Sequence, residues 1–325
     1  MLDEPVVFIA PDDGPAEAGL LFVPRELHTV RNLAGTITYT EGADYLVDRG
    51  QGRLVRTPGS RMPLVWPDGL VAHDDVRMHE RLVAVSYTHD LEPVPQALAA
   101  GAGSTLERTA GRLRRQEPLS ICLLGDSIAE GYDASGFHGV PPLQPGFASL
   151  VASALGQLHG GPVRLDNLAV AGSSAADGRW LTADAAAKAP HLVIVAYGMN
   201  DACWADADEF AINMTAILDG IRAKCPEVEC LLVSPMLPTP HCHWVMPERF
   251  PHYRDALLHL GRREGVAVAD VTALWRAVLE RKSPYDLTAN GTNHPNDFGH
   301  RLYVQTLLAL VSSPRVEGIE PAARP

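Results

Sequence analysis

The stretch LLGDSIAEGY, residues 123–132, decides the fold of the second half of the chain. Its apolar run stops at Gly125, Asp126 and Ser127. Ser and Asp are common at helix N-caps, because their side-chain oxygens accept hydrogen bonds from the free amides of the first turn. The stretch therefore predicts a strand that turns into a helix. Ser127 could be a polar cap or a nucleophile. The two roles do not exclude each other, because a serine at such a turn is expected to be exposed.

Apolar runs and amphipathic stretches alternate from Leu119 onward. Buried parallel strands read as continuous apolar runs, and helices return the chain by right-handed crossovers. The pattern predicts a doubly wound α/β domain of about five parallel strands over residues 119–325, with an active site at the carboxyl ends of the strands. The predicted strands are SICLL, VRLDNLAV, LVIVAYG, CLLVSP and VAVAD.

Residues 1–92 have a different rhythm. Short β-branched and apolar runs alternate with the Gly, Pro and Asp of tight turns, which predicts six or more strands in an all-β sandwich or jelly roll. The runs are VVFIA, GLLFV, TITYT, DYLVD, GRLVRT and RLVAVSYTH. Residues 93–118 are interpreted as a linker followed by a short helix, capped by Ser104 with Glu107 three positions later.

Composition narrows the class of protein. The 325 residues are 46% hydrophobic and carry a formal charge of −12, and no dense Lys/Arg run suggests a nucleic-acid partner. No segment approaches the roughly 20 apolar residues of a membrane span. The acidic N-terminus lacks the pattern of a secretory signal, which favours a cytoplasmic location unless a leader was removed. Five cysteines without CxxC spacing suggest neither disulfides nor zinc, and no cofactor is expected. The sequence leaves open whether the protein forms a homo-oligomer.

Unusual polar residues collect where the predicted strands end. Taken singly, each has a structural explanation as a turn glycine, an Asx turn or a loop histidine. Because carboxyl ends of parallel strands share one edge of the sheet, we expect these residues to lie close together. They are Gly125-Asp126-Ser127, Gly172, the segment GMND at 198–201, and His294 followed by Pro295.

Together these residues meet the requirements of acyl transfer, which needs a hydroxyl nucleophile, an imidazole base and donors for the developing oxyanion. Ser127 supplies a hydroxyl and a backbone N–H. Gly172 lets a second N–H approach without a Cβ in the way, and Asn200 offers a side-chain amide. His294 reaches Ser127 from a loop that Pro295 constrains.

These four blocks resemble those of the SGNH (GDSL-type) hydrolases, in the order of that family. The resemblance covers about residues 119–312 and implies a flavodoxin-like fold. It also implies that Ser127 is the nucleophile and His294 the base, with the N–H of Ser127, Gly172 and Asn200 forming the oxyanion hole.

One position departs from the family pattern. Members usually carry an aspartate three residues before the histidine, which orients the imidazole, but that position is Gly291 here and no acid occupies 287–293. Three explanations are open: a Ser-His dyad with a backbone carbonyl or Asn290 as acceptor, which we favour; a carboxylate from elsewhere, such as Asp286; or loss of catalysis. Asp297 is interpreted as a cap of the final helix.

The substrate is suggested by the two-part organisation, which resembles carbohydrate esterases with an N-terminal β-sandwich. That resemblance implies removal of small acyl groups, above all acetyl, from sugars. The long segment SPMLPTPHCHWVMP at 234–247 is a candidate substrate loop, with His241, His243 and Trp244 as a pocket wall beside Trp204. Equally, the tryptophans could fill the core and the histidines face solvent. HxH lacks a third ligand, so no metal is predicted.

Three functions follow from these patterns. We favour a serine esterase that removes acetyl or similar groups from a carbohydrate or related ester through a covalent acyl-enzyme. A lipase or thioesterase for longer chains is a second reading, although no apolar lid is evident. A carbohydrate-binding protein that has lost catalysis is the third. The expected partner is a small-molecule or oligosaccharide ester.

Overall fold

The computed structural model describes residues 1–67, 77–90 and 106–312. Residues 1–67 and 77–90, called here the N-terminal segment, form two three-stranded antiparallel sheets. Their strand orders are β1-β6-β3 and β2-β5-β4. The strands are β1 (Glu4–Val6), β2 (Glu17–Gly19), β3 (Pro24–Asn32), β4 (Tyr45–Asp48), β5 (Arg53–Arg56) and β6 (Val83–His89).

Side chains from both sheets share one buried cluster, which includes Val30, Leu54 and Val85. The described residues of the N-terminal segment thus form six strands, as expected, and one short helix (Arg77–Arg81), while the classification as an all-β sandwich or jelly roll stays a prediction. The longest strand, Pro24–Asn32, was not among the predicted runs because PRELHTVRN contains few apolar residues. The run TITYT at 36–40 is not one of the strands, and contributes only a bridge from Thr38 to Arg31.

The second half is built on a five-stranded parallel sheet with the order β11-β10-β9-β7-β8. The predicted α/β fold with about five parallel strands is confirmed. Strand order reverses beside β7, the first strand of this sheet in the chain, so the crevice at the carboxyl end of β7 is the expected ligand site. The strands are β7 (Leu119–Gly125), β8 (Val163–Asn167), β9 (Leu192–Ala196), β10 (Glu229–Val233) and β11 (Ala267–Ala269).

Helices cover both faces of this sheet. The helix Val271–Leu279 was not predicted. It starts directly after β11, and Asp270 caps it by accepting a hydrogen bond from the Ala273 N–H. Ser104, the predicted cap of the linker helix, lies outside the described residues. The α-helices are α1 (Arg77–Arg81), α2 (Glu107–Arg114), α3 (Ser127–Glu130), α4 (Phe147–His159), α5 (Ala175–Gly178), α6 (Thr182–Ala187), α7 (Ala207–Arg222), α8 (Arg249–Glu264), α9 (Val271–Leu279) and α10 (Asp297–Ser312).

A buried ion cluster joins the N-terminal segment to the second half. Nζ of Lys282 lies 2.9 Å from Oε1 of Glu4 and 3.2 Å from Oδ2 of Asp286. Oδ1 of Asp286 also accepts a hydrogen bond from the Val7 N–H at 2.7 Å. Because all three charged side chains are buried, this contact is part of the interior. The predicted boundary at 93–118 lies partly outside the described residues.

Within the described ranges, no helix combines the length and the apolar character that crossing a membrane requires.

Candidate active site

Ser127 is the first residue of α3, directly after β7. The cap of this helix is Asp126, whose Oδ1 accepts a hydrogen bond from the Ile128 N–H at 2.9 Å. The serine hydroxyl is therefore not used as a cap. Its Oγ lies 2.9 Å from Nε2 of His294, which is the distance of a nucleophile that hydrogen-bonds to its base.

The loop that carries His294 is held by its own backbone contacts. The carbonyl of His294 accepts from the Ala289 N–H at 3.0 Å. Oδ1 of Asn290 accepts from three successive N–H groups, those of Thr292, Asn293 and His294, at 2.9 to 3.1 Å. Asn290 thus fixes the loop and presents no acceptor to the imidazole.

Asp133 lies at the other nitrogen of the ring. Its Oδ2 is 2.7 Å from Nδ1 of His294. This placement differs from the favoured dyad, because Asn290 accepts from the loop backbone and a carboxylate contacts the imidazole. It agrees with the alternative of a carboxylate from elsewhere, but that carboxylate is not Asp286, which contacts Lys282 and Val7. A carboxylate can only accept, so Nδ1 carries the proton and Nε2 is free to accept from Ser127.

A carboxylate from elsewhere was among the expectations, but the one named, Asp286, lies only eight residues before His294. Gly291, at the usual position, has φ +72°, a left-handed conformation that non-glycine residues rarely adopt. Asp133 follows the nucleophile by six residues instead. An acid followed five positions later by a histidine, in the Gly-containing turn YDASGFHG, was the available signal.

The loop that carries Asp133 begins where α3 ends at Gly131. Asp133 itself is left-handed, with φ +61°. Two hydrogen bonds fasten the loop to the start of α10: Ser135 N–H to Oδ1 of Asp297 at 2.8 Å, and Nε2 of Gln144 to the Asp297 carbonyl at 2.7 Å. The acid of the site is therefore tied to the helix that follows His294.

Asp297 differs from its expected role. Asn296 caps α10 instead, since its Oδ1 accepts from the N–H groups of Phe298 and Gly299 at 3.1 and 3.0 Å. Asp297 uses its carboxylate to hold Ser135, and so contributes to the site through the Asp133 loop.

The carboxylates around Ser127 have different pKa values. Burial raises the pKa of Asp133, but hydrogen bonds and charge interactions with His294 and His138 outweigh it, so its pKa is lowered overall. Burial raises the pKa of Asp126 to about 7 and that of Asp201 to about 6. Asp133 is thus the carboxylate that stays ionised beside the base.

Three donors were predicted around the nucleophile. Within the part of the chain that the structure describes, the backbone N–H groups of Ser127 and Gly172 have no protein acceptor, and Gly172 has φ +80°. Nδ2 of Asn200 donates to the Ser173 carbonyl at 2.8 Å, which uses one of its two protons and orients the amide. Buried Asp201 accepts from the Ala175 N–H and fixes the same turn.

The four residues predicted to form a substrate wall differ in their exposure and contacts. Trp204 and Trp244 are exposed, by 71% and 45%, so neither is a core filler. His241 hydrogen-bonds through Nδ1 to the Tyr285 hydroxyl and is not free, whereas His243 is exposed.

The segment 234–247 joins two parts of the site. Thr239 N–H donates to the Thr292 carbonyl at 2.8 Å, on the His294 loop. Met246 N–H donates to the Ala202 carbonyl at 3.0 Å, on the turn that carries Asn200. The described residues contain no group of three or more His, Cys, Asp or Glu side chains that could hold a metal ion.

A serine, an imidazole and a carboxylate in line at the carboxyl end of β7 are the residue types of a serine hydrolase. The model of the GDSL-like lipase/acylhydrolase family matches residues 123–302, which contain all three. The chain belongs to this family. No curated protein matches the chain.

Solved structures share the fold at low identity. A two-domain esterase (CEX) active on acetylated mannans aligns with a TM-score of 0.53 and 18% identity, over 68% of this chain and 57% of its own. A variant of Axe2, an acetyl-xylooligosaccharide esterase from Geobacillus, aligns with a TM-score of 0.51 and 17% identity, over 60% of this chain and 95% of its own. Both support the fold of the second half.

Proposed function

We propose that this protein is a serine esterase that removes acetyl or similarly small acyl groups from a carbohydrate or related ester. The observation that carries the proposal is the line of hydrogen bonds from Ser127 Oγ through His294 to Asp133, with distances of 2.9 and 2.7 Å. The proposal replaces the Ser-His dyad by a triad whose acid follows the nucleophile in the chain.

The reaction proceeds through an acyl-enzyme. Ser127 Oγ attacks the acyl carbonyl carbon while its proton moves to Nε2 of His294, and Asp133 stabilises the resulting imidazolium. The tetrahedral intermediate collapses, the C–O bond to the sugar breaks, and the sugar oxygen takes the proton from His294. Water then attacks the acyl carbon while its proton moves to His294, and as the bond from the acyl carbon to Ser127 Oγ breaks, His294 returns that proton to Oγ and the carboxylic acid leaves.

The N–H groups of Ser127 and Gly172 and the free N–H of Asn200 are the donors we assign to the oxyanion. Loss of one such donor typically costs about 10²–10³ in kcat. These groups stabilise charge that develops only in the transition state, so they act on kcat more than on substrate binding.

Two observations support a small acyl group on a sugar. Structural neighbours act on acetylated mannans and xylo-oligosaccharides. Trp204 and Trp244 are exposed on the turn and loop that border the donors, where indole rings could pack against a sugar face.

The test is acetate release from acetylated xylan, acetylated mannan and a series of p-nitrophenyl esters of increasing chain length. We expect the acetate ester and at least one acetylated glycan to be hydrolysed, long-chain esters to be poor substrates, and Ser127→Ala to be inactive. A rate maximum at octanoate or longer would instead support a lipase. Absence of turnover together with absence of labelling by a fluorophosphonate would exclude an esterase.

A further inference from the structure

Asp133 contacts a second histidine. While its Oδ2 faces His294, its Oδ1 lies 2.6 Å from Nε2 of His138. We propose that His138 is a positioning residue for the esterase reaction, and that His79 of the N-terminal segment supports it. This inference rests on the proposed function and extends the line of hydrogen bonds from three side chains to four.

The position of Asp133 explains why a second hydrogen bond matters. Asp133 lies on a loop rather than in a strand or helix. With one hydrogen bond, its carboxylate could rotate about the Cβ–Cγ bond and lose alignment with Nδ1 of His294. A donor at Oδ1 fixes the plane of the carboxylate, and an acceptor-only carboxylate requires that Nε2 of His138 carry the proton.

The surroundings of His138 restrict its ring. The Phe137 ring stands edge-on to it, with centroids 5.3 Å apart, and Phe137 in turn packs against Tyr132 at 4.3 Å. Tyr132 also contacts the His294 ring at 5.6 Å. One aromatic group thus encloses both imidazoles that hydrogen-bond to Asp133.

His79 reaches this group from the N-terminal segment. It is buried on α1, and its ring stands edge-on to that of His138 with centroids 5.8 Å apart. The charged and titratable groups that face it are Asp133, His138 and, from α10, Asp297. Burial lowers the pKa of His79 despite the two carboxylates, so its neutral ring packs against His138 without repelling it.

The expected effect follows from where His138 acts. Ser127 attack converts His294 to an imidazolium, which a well-aligned Asp133 stabilises. Because His138 acts only through Asp133, its loss should lower kcat and leave KM unchanged. At metal sites, loss of a hydrogen-bond partner that orients a ligand typically costs about 10–100-fold in activity, and we expect a loss of the same order here because His138 orients Asp133 in the same way.

The experiment compares His138→Phe, which keeps an aromatic ring without a donor, with His138→Gln, whose amide can still donate to Oδ1. We expect His138→Phe to lower kcat on p-nitrophenyl acetate by roughly 10–100-fold at constant KM. His138→Gln should recover most of that loss. His252→Gln, at an exposed position on α8, is the matched control and should behave as the wild type.

His79 is tested in a double-mutant cycle. His79→Phe should lower kcat less than His138→Phe, and the double variant should be no slower than His138→Phe alone, because the two act through one contact. Additive losses would remove His79 from the proposal. A wild-type kcat in His138→Phe, or a His138→Gln variant as slow as His138→Phe, would overturn it entirely.

An NMR measurement separates this inference from the proposed function. In protein whose histidines are labelled with ¹⁵N, the Nδ1–H proton of His294 should resonate downfield in the wild type. In His138→Phe this resonance should broaden or move upfield. If the wild type hydrolyses no ester but the resonance moves, the proposed function fails, while the contact by which His138 orients Asp133 and His294 is supported. If esters are hydrolysed and neither the resonance nor kcat changes, the positioning role fails alone.

Discussion

Oδ2 of Asp133 lies 2.7 Å from Nδ1 of His294, although 161 residues separate them in the chain. Only six residues separate Asp133 from Ser127, so the acid and the nucleophile of this site come from one short segment. The base reaches both from the loop before α10. Each member of the line can therefore be tested separately.

Asp133→Asn should lower kcat by about three to four orders of magnitude, because an amide oxygen or nitrogen no longer enforces the protonated Nδ1 of His294. KM should change little. Steady-state kinetics on p-nitrophenyl acetate measure both constants, with Asp12→Asn at an exposed position as the control. A kcat within about tenfold of wild type would remove Asp133 from the triad.

Moving the acid to position 291, where the family usually carries it, should not restore activity. In the Asp133→Ala background, Gly291→Asp places a carboxylate three residues before His294, but residue 291 has φ +72° and its carbonyl accepts from the Thr239 hydroxyl at 2.6 Å. A side chain in this conformation costs about 1–2 kcal/mol, and the loop cannot turn freely to aim it. We expect no gain in kcat over Asp133→Ala alone. A gain of tenfold or more would show that the loop adapts.

The residues at the ends of the parallel strands could be predicted from the sequence, because they depend on local patterns. Apolar runs predicted the five parallel strands, and the residues at their ends predicted the contact between Ser127 and His294. The oxyanion roles of Gly172 and Asn200 stay predictions. The placement of Ser127 and His294 needed only the rule that carboxyl ends of parallel strands meet at one edge.

Asp133, the acid of the site, could not be predicted in the same way. Asp133 reaches His294 because α3 ends after one turn and the loop bends back through left-handed conformations at Gly131 and Asp133. No periodic pattern encodes that path. Likewise, the roles of Asn296 and Asp297 depend on whether a side chain turns to its own helix or to a distant loop, which adjacent sequence does not determine.

Lys282→Met should destabilise the protein by about 3–5 kcal/mol, because it leaves Glu4 and Asp286 buried without a cation. The free energy of unfolding, measured in urea, checks this against Lys224→Met at an exposed position. The triple variant Glu4→Gln, Lys282→Met, Asp286→Asn should lose less stability than Lys282→Met alone, since the cluster then holds no charged side chain. A larger loss in the triple variant would contradict a cost that arises from uncompensated charge.

The pKa of Asp201 predicts a pH dependence of stability. Burial raises it from 3.8 to about 6, so the folded protein keeps a proton that the unfolded chain releases. The stabilisation from this group is therefore fully present below pH 3.8 and is lost as the pH rises to about 6, a loss of about 3 kcal/mol. Asp201→Asn should flatten that decline in urea unfolding curves. Exposed Asp184→Asn should not, and parallel curves for Asp201→Asn and wild type would refute the assignment.

The short connection between Ser127 and Asp133 has a mechanical consequence. The acid follows the nucleophile by only six residues, which limits how far they can separate, and the contacts of Ser135 and Gln144 with Asp297 also hold the Asp133 loop at the start of α10. The base is different, because shifting the 288–296 loop alone would separate His294 from both partners at once. Gradual heating should therefore abolish turnover in one step, as that loop detaches, and not through a partly active form that has lost only one of its hydrogen bonds.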